Sequence, residues 1–365
     1  VVYHLFGPAE EARAKAEDIC LEQTVEFPTD LVPAGAIQDS IVGQIESLTA
    51  LGPQQHEAII SYADETGGAE LPQLLNVIFG NISIKPGIRV ERLELSEGVL
   101  AHYRGPRFGQ QGWRDLLGVQ ERPLLMTALK PMGLSAKDLA AVAYQFALGG
   151  LDIIKDDHGL ANQPFAPFQE RVERCAEAIA QANTQTGWRC QYMPNVTAPA
   201  DQVLERAHFA KAHGAGSLLV CPGLTGFDSL RQLAEDDSLA LPIASHPSFY
   251  GSLVTSPQNG FSHYALYGQW QRLIGADCSI YPNFGGRFAF SQAECEAIVA
   301  GCHDPMGDLK AIFPAPGGGM TMQNIPQMRA VYGQSVVYLV GGGLHRHSPD
   351  LAANARHFIE LVSAG

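Results

Sequence analysis

Residues 149–171 read GGLDIIKDDHGLANQPFAPFQER. The order is two glycines, a short and largely apolar run (Leu151 to Ile154), a polar cluster (Lys155, Asp156, Asp157, His158), and a turn-rich stretch. A helix then opens, running from Phe168 to Ala182 with apolar residues three and four apart. A short apolar run bounded by turn residues and followed by an amphipathic helix reads as a buried strand with its crossover. The charged side chains therefore stand at the C-terminal end of a strand.

The same unit recurs along the chain. Apolar runs fall at Leu124 to Leu129, Leu151 to Ile154, Cys190 to Met193, Ser217 to Val220, Pro242 to Ala244, Cys278 to Tyr281, Leu309 to Phe313 and Val336 to Val340. Each precedes turn residues and then helical periodicity, as in AKDLAAVAYQFA from Ala136 to Ala147. Eight runs spaced roughly 25 to 40 residues apart predict a (β/α)8 TIM barrel over residues 123–365, with a doubly wound open sheet as the other arrangement. Residues 1–104 have a different rhythm: strand (Val1 to Leu5), helices (Glu10 to Glu22 and Ile37 to Leu48), strand (Ala58 to Tyr62), helix (Leu71 to Phe79) and strand (Ile88 to Leu95). That is an α+β, ferredoxin-like open sheet. Residues 105–122, rich in Gly and polar residues, read as the connection between the two. The fold class is α/β.

Composition narrows the partners. Asp plus Glu outnumber Lys plus Arg by 38 to 24, and the net charge of -14 repels nucleic acid and anionic membranes alike. Seven scattered cysteines without a CxxC spacing argue against a disulfide framework and a zinc-thiolate site, and fit a reducing cytoplasm. No run approaches the ~18 apolar residues of a membrane span. The chain opens at Val1 within a strand, without a charged-then-apolar leader, so its true N-terminus is expected upstream.

Barrel chemistry sits just past the strand ends. Those positions hold Lys130-Pro131, Lys155 to His158, Asn195 to Thr197, Ser245 to Ser248, Asn283 to Arg287, Pro316 to Gly319 and Gly341 to His345. A lysine ending an apolar run has a partly desolvated amine, which lowers its pKa toward the range of a base or a carbamate-forming group. The competing reading is that it reaches solvent or pairs with a carboxylate such as Asp156. Lys155, Asp157 and His158 lie close enough to converge on a hard divalent cation. Two glycine runs, Gly317-Gly318-Gly319 and Gly341-Gly342-Gly343, fall after the seventh and eighth strands, where backbone amides can close around phosphate; singly, each also reads as a tight turn. Arg287, behind two glycines, is a candidate mobile-loop cation, and His246 a candidate for orienting a hydroxyl or shuttling a proton. No P-loop or GxGxxG pattern points to a nucleotide cofactor.

With these residues in view, GGLDIIKDDHGLANQPFAPFQER closely resembles the GGLDFTKDDE…QPF…R signature of the ribulose bisphosphate carboxylase large subunit, and TALKPMGLS resembles its KPKLGLS motif. EQTVEF, the FGN of Phe79 to Asn81, GPRFGQQGWRD, PGGG and GGG follow the same order over nearly the whole chain. The resemblance implies that Lys155 is a carbamylated lysine which, with Asp157 and the residue at His158, binds one Mg2+, and that Lys130 handles the proton at the reacting carbon. It further implies that Gly318, Gly319, Gly342 and Gly343 surround a phosphate, that His246 touches substrate, and that Glu22 and Asn81 reach the partner's site in a homodimer or an assembly of dimers.

Four departures matter. His158 replaces a metal carboxylate, Met132 the second lysine of KPK, Arg287 the lysine of the sixth loop, and Pro247 an arginine that grips a second phosphate. Carboxylation needs the flexible lysine, and a bisphosphate needs a second cationic pocket. The chain is thus identified as a member of the RuBisCO-like (form IV) proteins, expected not to fix CO2. The expected enzyme enolises a singly phosphorylated ketose or sugar acid through a metal-stabilised enediolate, as an isomerase of 5-methylthioribulose 1-phosphate type. A decarboxylase (lyase) of a 3-oxo sugar-acid phosphate, of 3-oxo-isoapionate 4-phosphate type, and a non-catalytic phosphate-ligand-binding protein are the alternatives. Metal-free enolisation with an unmodified Lys155 amine as acid or base is also left open.

Overall fold

The structure, a computed structural model, describes residues 1–363; the last two residues of the expected barrel span lie outside the described residues. Thirteen strands follow in chain order: β1 (Val2–Phe6), β2 (Gln44–Gly52), β3 (Gln55–Ser61), β4 (Ile88–Arg92), β5 (Leu124–Leu129), β6 (Ile153–Asp156), β7 (Gln191–Met193), β8 (Leu218–Val220), β9 (Ile243–Ser245), β10 (Gly260–Phe261), β11 (Cys278–Pro282), β12 (Phe313–Gly317) and β13 (Val337–Leu339). They divide between two compact units. The first comprises Val1–Tyr103, Tyr250–Trp270 and Met306–Asp308, so it takes in two short pieces from within the span that the sequence assigns to the barrel.

The first unit is a five-stranded sheet in the order β10-β4-β1-β3-β2, antiparallel except where β10 runs parallel to β4. Strand β3 buries alternate residues, His56, Ala58 and Ile60, as a half-covered strand should. The helix Ala9–Glu22 turns Ala12, Ala16, Ile19 and Cys20, at helical spacing, into the core. One expectation fails here. Residues 37–48 are not a helix: Ile37–Ile41 form a short π turn, and from Gln44 onward the chain is edge strand β2, paired to β3 through a tight turn. Ile37, Ile41, Ile45 and Leu48 mimic helical spacing, but the neighbouring strand overrides that local preference.

The second unit carries two four-stranded parallel sheets, β13-β5-β6-β7 and β12-β11-β9-β8. An isolated parallel bridge, Asn195 to Leu219, links β7 to β8, and β12 lies beside β13, closing an eight-stranded TIM barrel. The β12–β13 seam has a covalent cause. Phe313 N–H donates to Asp277 O on the β11 side, so alternate residues Pro314 and Pro316 face β13, and proline has no N–H to offer. The seventh strand starts at Phe313, where the apolar run Leu309 to Phe313 ends. Met126, Ile153, Met193, Leu219, Ala244, Ile280, Phe313 and Val337 fill the barrel core. Trp113 and Leu117 join them from the helix Gly109–Leu117, which lies within the 105–122 stretch. All seven cysteines are buried, and none forms a disulfide. Among the described residues no helix is long and apolar enough to cross a membrane.

Candidate active site

Strand alternation sorts the cluster at the end of β6. Asp156 turns away from the side taken by Lys155 and Asp157, and both of its carboxylate oxygens are engaged. It accepts from Arg171 Nε at 3.1 Å, Tyr192 OH at 2.8 Å and Asn195 N–H at 3.0 Å. Arg171 is itself wholly buried and donates to the carbonyls of Ala161 and Ala166. This buried pair ties the loop after β6 to the following helix and to β7, so neither lysine pairs with the Asp156 carboxylate.

Lys155 is 1% exposed, and its Nζ donates to the Asp156 backbone carbonyl at 3.0 Å. Burial disfavours the ammonium more than the nearby Asp157 charge favours it, and its pKa is brought down to about 8. Lys130, directly after β5, donates to Asp157 Oδ2 at 2.7 Å, while Asp157 Oδ1 lies 3.4 Å from His158 Nδ1. Burial alone would raise the Asp157 pKa. The contacts from His158 and Lys130, with the charge of Lys155, outweigh it and hold the carboxyl well below the usual range.

His158 stacks on His246, with ring centroids 4.4 Å apart and planes 12° from parallel. His246 follows β9, and burial, reinforced by the positive charge of Lys155, pushes its pKa well below that of free imidazole, so the ring is neutral at neutral pH. Its Nδ1 receives the Ser248 backbone N–H at 3.3 Å and lies 2.9 Å from Ser248 Oγ. A backbone N–H can only donate, so Nδ1 is the acceptor and the ring proton sits on Nε2.

The glycine runs approach this cluster from β12 and β13, the latter paired with β5. A Cβ on Gly341 would sit 3.6 Å from Lys130 Cε, and one on Gly343 would sit 3.1 Å from Met320 O, so the two glycine loops adjoin each other and Lys130. Gly318 and Gly319 have φ of +69° and +144°, backbone that L side chains rarely adopt. Gly342 opens the six-residue helix Gly342–His347. Arg287 is exposed, with its guanidinium carbon 5.0 Å over the Phe288 ring, and Phe288 rests on Gly318. Met132, in the loop after β5, lays its terminal methyl against Gly159.

Contacts thus join Lys130, Asp157, His158 and His246 in one chain, with Lys155 coupled to them by charge and Gly341 against Lys130. Arg287 and Gly317 to Gly319 form a neighbouring rim. Glu22 and Asn81 belong to the first unit, where Asn81 Nδ2 donates to Glu22 Oε1 at 3.0 Å and Lys85 also reaches Glu22. Sequence reasoning overlooked Cys221. It follows β8 directly, its N–H donates to Thr197 Oγ1 at 2.9 Å, and its thiol, raised by burial, interacts with Lys155. Its place after the apolar run Ser217 to Val220 was the available signal.

For a divalent ion the donor set is conditional. Among the described residues no group of three His, Cys, Asp or Glu side chains could hold a metal. With Lys155 as an amine, Asp157 and His158 supply two donors beside a potential cation. A carbamate on Lys155 adds the missing oxygen ligand, and the neutral amine favoured by its lowered pKa is the form that reacts with CO2. The residues fit the ion once that carbamate is present.

Comparison with known proteins agrees with this architecture. Residues 109–286 match the family model "Ribulose bisphosphate carboxylase large chain, catalytic domain". A 5-methylthioribulose-1-phosphate isomerase from Rhodospirillum rubrum is 35% identical over 362 residues, 99% of this chain and 95% of that protein. A 2,3-diketo-5-methylthiopentyl-1-phosphate enolase from Bacillus licheniformis is 33% identical over 368 residues, 99% of this chain and 91% of that protein. The crystal structure of a Rubisco-like protein from Rhodopseudomonas palustris superposes with a TM-score of 0.89 at 36% identity, covering 99% of this chain and 96% of that one. Whole-length similarity of this order leaves one assignment: the chain belongs to the ribulose bisphosphate carboxylase large-chain family, among its RuBisCO-like proteins.

Proposed function

We propose that this chain is an enolising enzyme of the sugar-phosphate isomerase/enolase type, acting on a singly phosphorylated ketose and not carboxylating it, with 5-methylthioribulose 1-phosphate as the leading substrate. The observation that carries the reading is the pairing of Lys130 with Asp157 at 2.7 Å, beside the buried Lys155 amine and against the Gly341 loop. A proton-transfer group and an anionic anchor stand within one cluster, next to backbone suited to a phosphate.

Lys130, held in position by Asp157, moves the proton between the carbon that bears the hydroxyl and the adjacent carbonyl carbon. His246 offers Nε2–H to a substrate oxygen, and its neutral ring keeps that proton available as a hydrogen bond. The amides of Gly317 to Gly319 and Gly341 to Gly343 take the phosphate, with Arg287 as the cation above it. Lys155 as its carbamate, Asp157 and His158 would hold one Mg2+, which when bound would polarise the carbonyl. Met132 and Pro247 stand where the resembled family carries a lysine and an arginine, which supports one phosphate and argues against carboxylation.

Glu22 and Asn81, joined by a hydrogen bond, are the pair this reading assigns to the partner's site in a homodimer. A cytoplasmic setting goes with it, because seven cysteines without a disulfide suit a reducing compartment.

The test is proton exchange in heavy water followed by NMR, with 5-methylthioribulose 1-phosphate as the probe. Deuterium entering at the carbon next to the carbonyl, with isomer formed, supports the reading. CO2 release from a 3-oxo sugar-acid phosphate without turnover of the thio-sugar would replace isomerase by decarboxylase. Absence of exchange with any ketose phosphate, with or without magnesium and bicarbonate, would leave a binding protein.

A further inference from the structure

Asn283 is fully buried at the point where β11 gives way to the loop bearing Arg287. Its backbone N–H donates to Gly317 O at 2.7 Å, its amide nitrogen lies 3.1 Å from Met328 Sδ, and its Oδ1 accepts from Tyr332 OH at 2.6 Å. Tyr332 ends the helix Ile325–Tyr332, which follows the glycine loop after β12. The stems of two functional loops and the helix leaving one of them therefore meet on a single asparagine. Above that point the loops touch directly. A Cβ on Gly286 would sit 2.3 Å from Gly318 O and 3.0 Å from Gly319 Cα, and Phe288 rests on Gly318. The far end of the glycine loop is pinned by Asn324, which accepts from Thr321 N–H at 3.0 Å and donates to Gly319 O at 3.2 Å.

We infer that Tyr332 and Asn283 are a positioning pair that ties the Gly317–Gly319 loop and the Arg287 loop into one body, so that phosphate cradle and cation hold or lose their geometry together. The physical argument is satisfaction of a buried amide. Asn283 is wholly out of solvent, and the Tyr332 hydroxyl is the strong donor to its carbonyl oxygen. Without that donor the amide gains by turning toward other partners, and the backbone it anchors turns with it. Tyr332 bonds to Asn283 and to neither lysine, so its effect passes through the loops. The consequence for phosphate binding rests on the proposed function; the coupling of the loops does not.

Tyr332→Phe, Asn283→Ala and the double variant test it. Hydrogen exchange of the unliganded protein should speed up in residues 284–289 and 318–321 together, by about fivefold, the factor that a lost buried hydrogen bond carries. Inorganic phosphate should bind about fivefold more weakly by calorimetry, and KM should rise with kcat little changed. The double variant should be no worse than the worse single one, since both break the same link. A lowered melting temperature with exchange unchanged in both segments, or faster exchange in one segment alone, would overturn the coupling. Joint loosening in a protein that binds no phosphate even as wild type would uphold the coupling and remove the cradle reading.

Discussion

Lys130 Nζ lies 2.7 Å from Asp157 Oδ2, joining the end of β5 to the end of its neighbour β6 at the mouth of the barrel. Neighbouring parallel strands set Ala128 beside Lys155 and Leu129 beside Asp156, so the residues that continue each strand arrive at the same height. The ladder register thus delivers an amine from one strand to a carboxylate from the next.

Lys130→Met should lower proton exchange by about 10²–10⁴-fold, the usual worth of a positioned acid or base. Circular dichroism and the melting temperature should change little, because Lys130 is partly exposed. Exchange retained near the wild-type rate would take Lys130 out of its role.

The buried Lys155 amine makes stability depend on pH. Its folded pKa of about 8 lies below its ordinary value of 10.5, so between those values the unfolded chain binds more protons. Stability should therefore rise with pH from about 8 to 10.5, by an amount on the order of 3 kcal/mol. Urea titrations at stepped pH measure the rise, and Lys155→Met should flatten it. The same amine should give a carbamate signal with 13C-labelled bicarbonate that grows as pH passes 8 and is absent from Lys155→Met.

Arg171→Met removes the buried partner of Asp156 and leaves a desolvated carboxylate. A loss of about 3–5 kcal/mol is expected in denaturant unfolding, far more than an exposed ion pair gives. Arg174→Met, on the same helix but paired with Glu170 at the surface, should cost at most about 1 kcal/mol.

Gly286→Ala drives a methyl into the Gly318 carbonyl, a backbone atom that cannot rotate aside. Phosphate affinity and KM should worsen, while the carbamate signal of Lys155 stays at the wild-type level. Loss of both together would mean that the substitution damages the whole mouth.

Much of this was legible in the residues. The recurring apolar run, turn and helix announced the barrel, and polar residues placed after those runs named most of the cluster. Other features were not. Asp156 and Asp157 are alike in composition and adjacent in the chain, yet one is a structural anchor for Arg171 and the other a partner of Lys130. Residues 37–48 had helical spacing and became an edge strand, because pairing with β3 outweighed local preference. The strand after Leu309 began later than its apolar run suggested, since an apolar run records burial and not hydrogen bonding. Cys221 escaped notice because a lone cysteine after a strand carries no motif.

What the chain determined unaided was its architecture and its repertoire: where strands end, which of those ends bear amines, carboxylates, imidazoles or bare backbone, and which cations of the resembled family are missing. Those are local properties, written in periodicity and residue type. Which groups face one another was decided only in three dimensions. Lys130 meets Asp157, His158 stacks on His246 and Asn283 gathers two loops through barrel closure, strand register and burial, which depend on residues far apart in the chain.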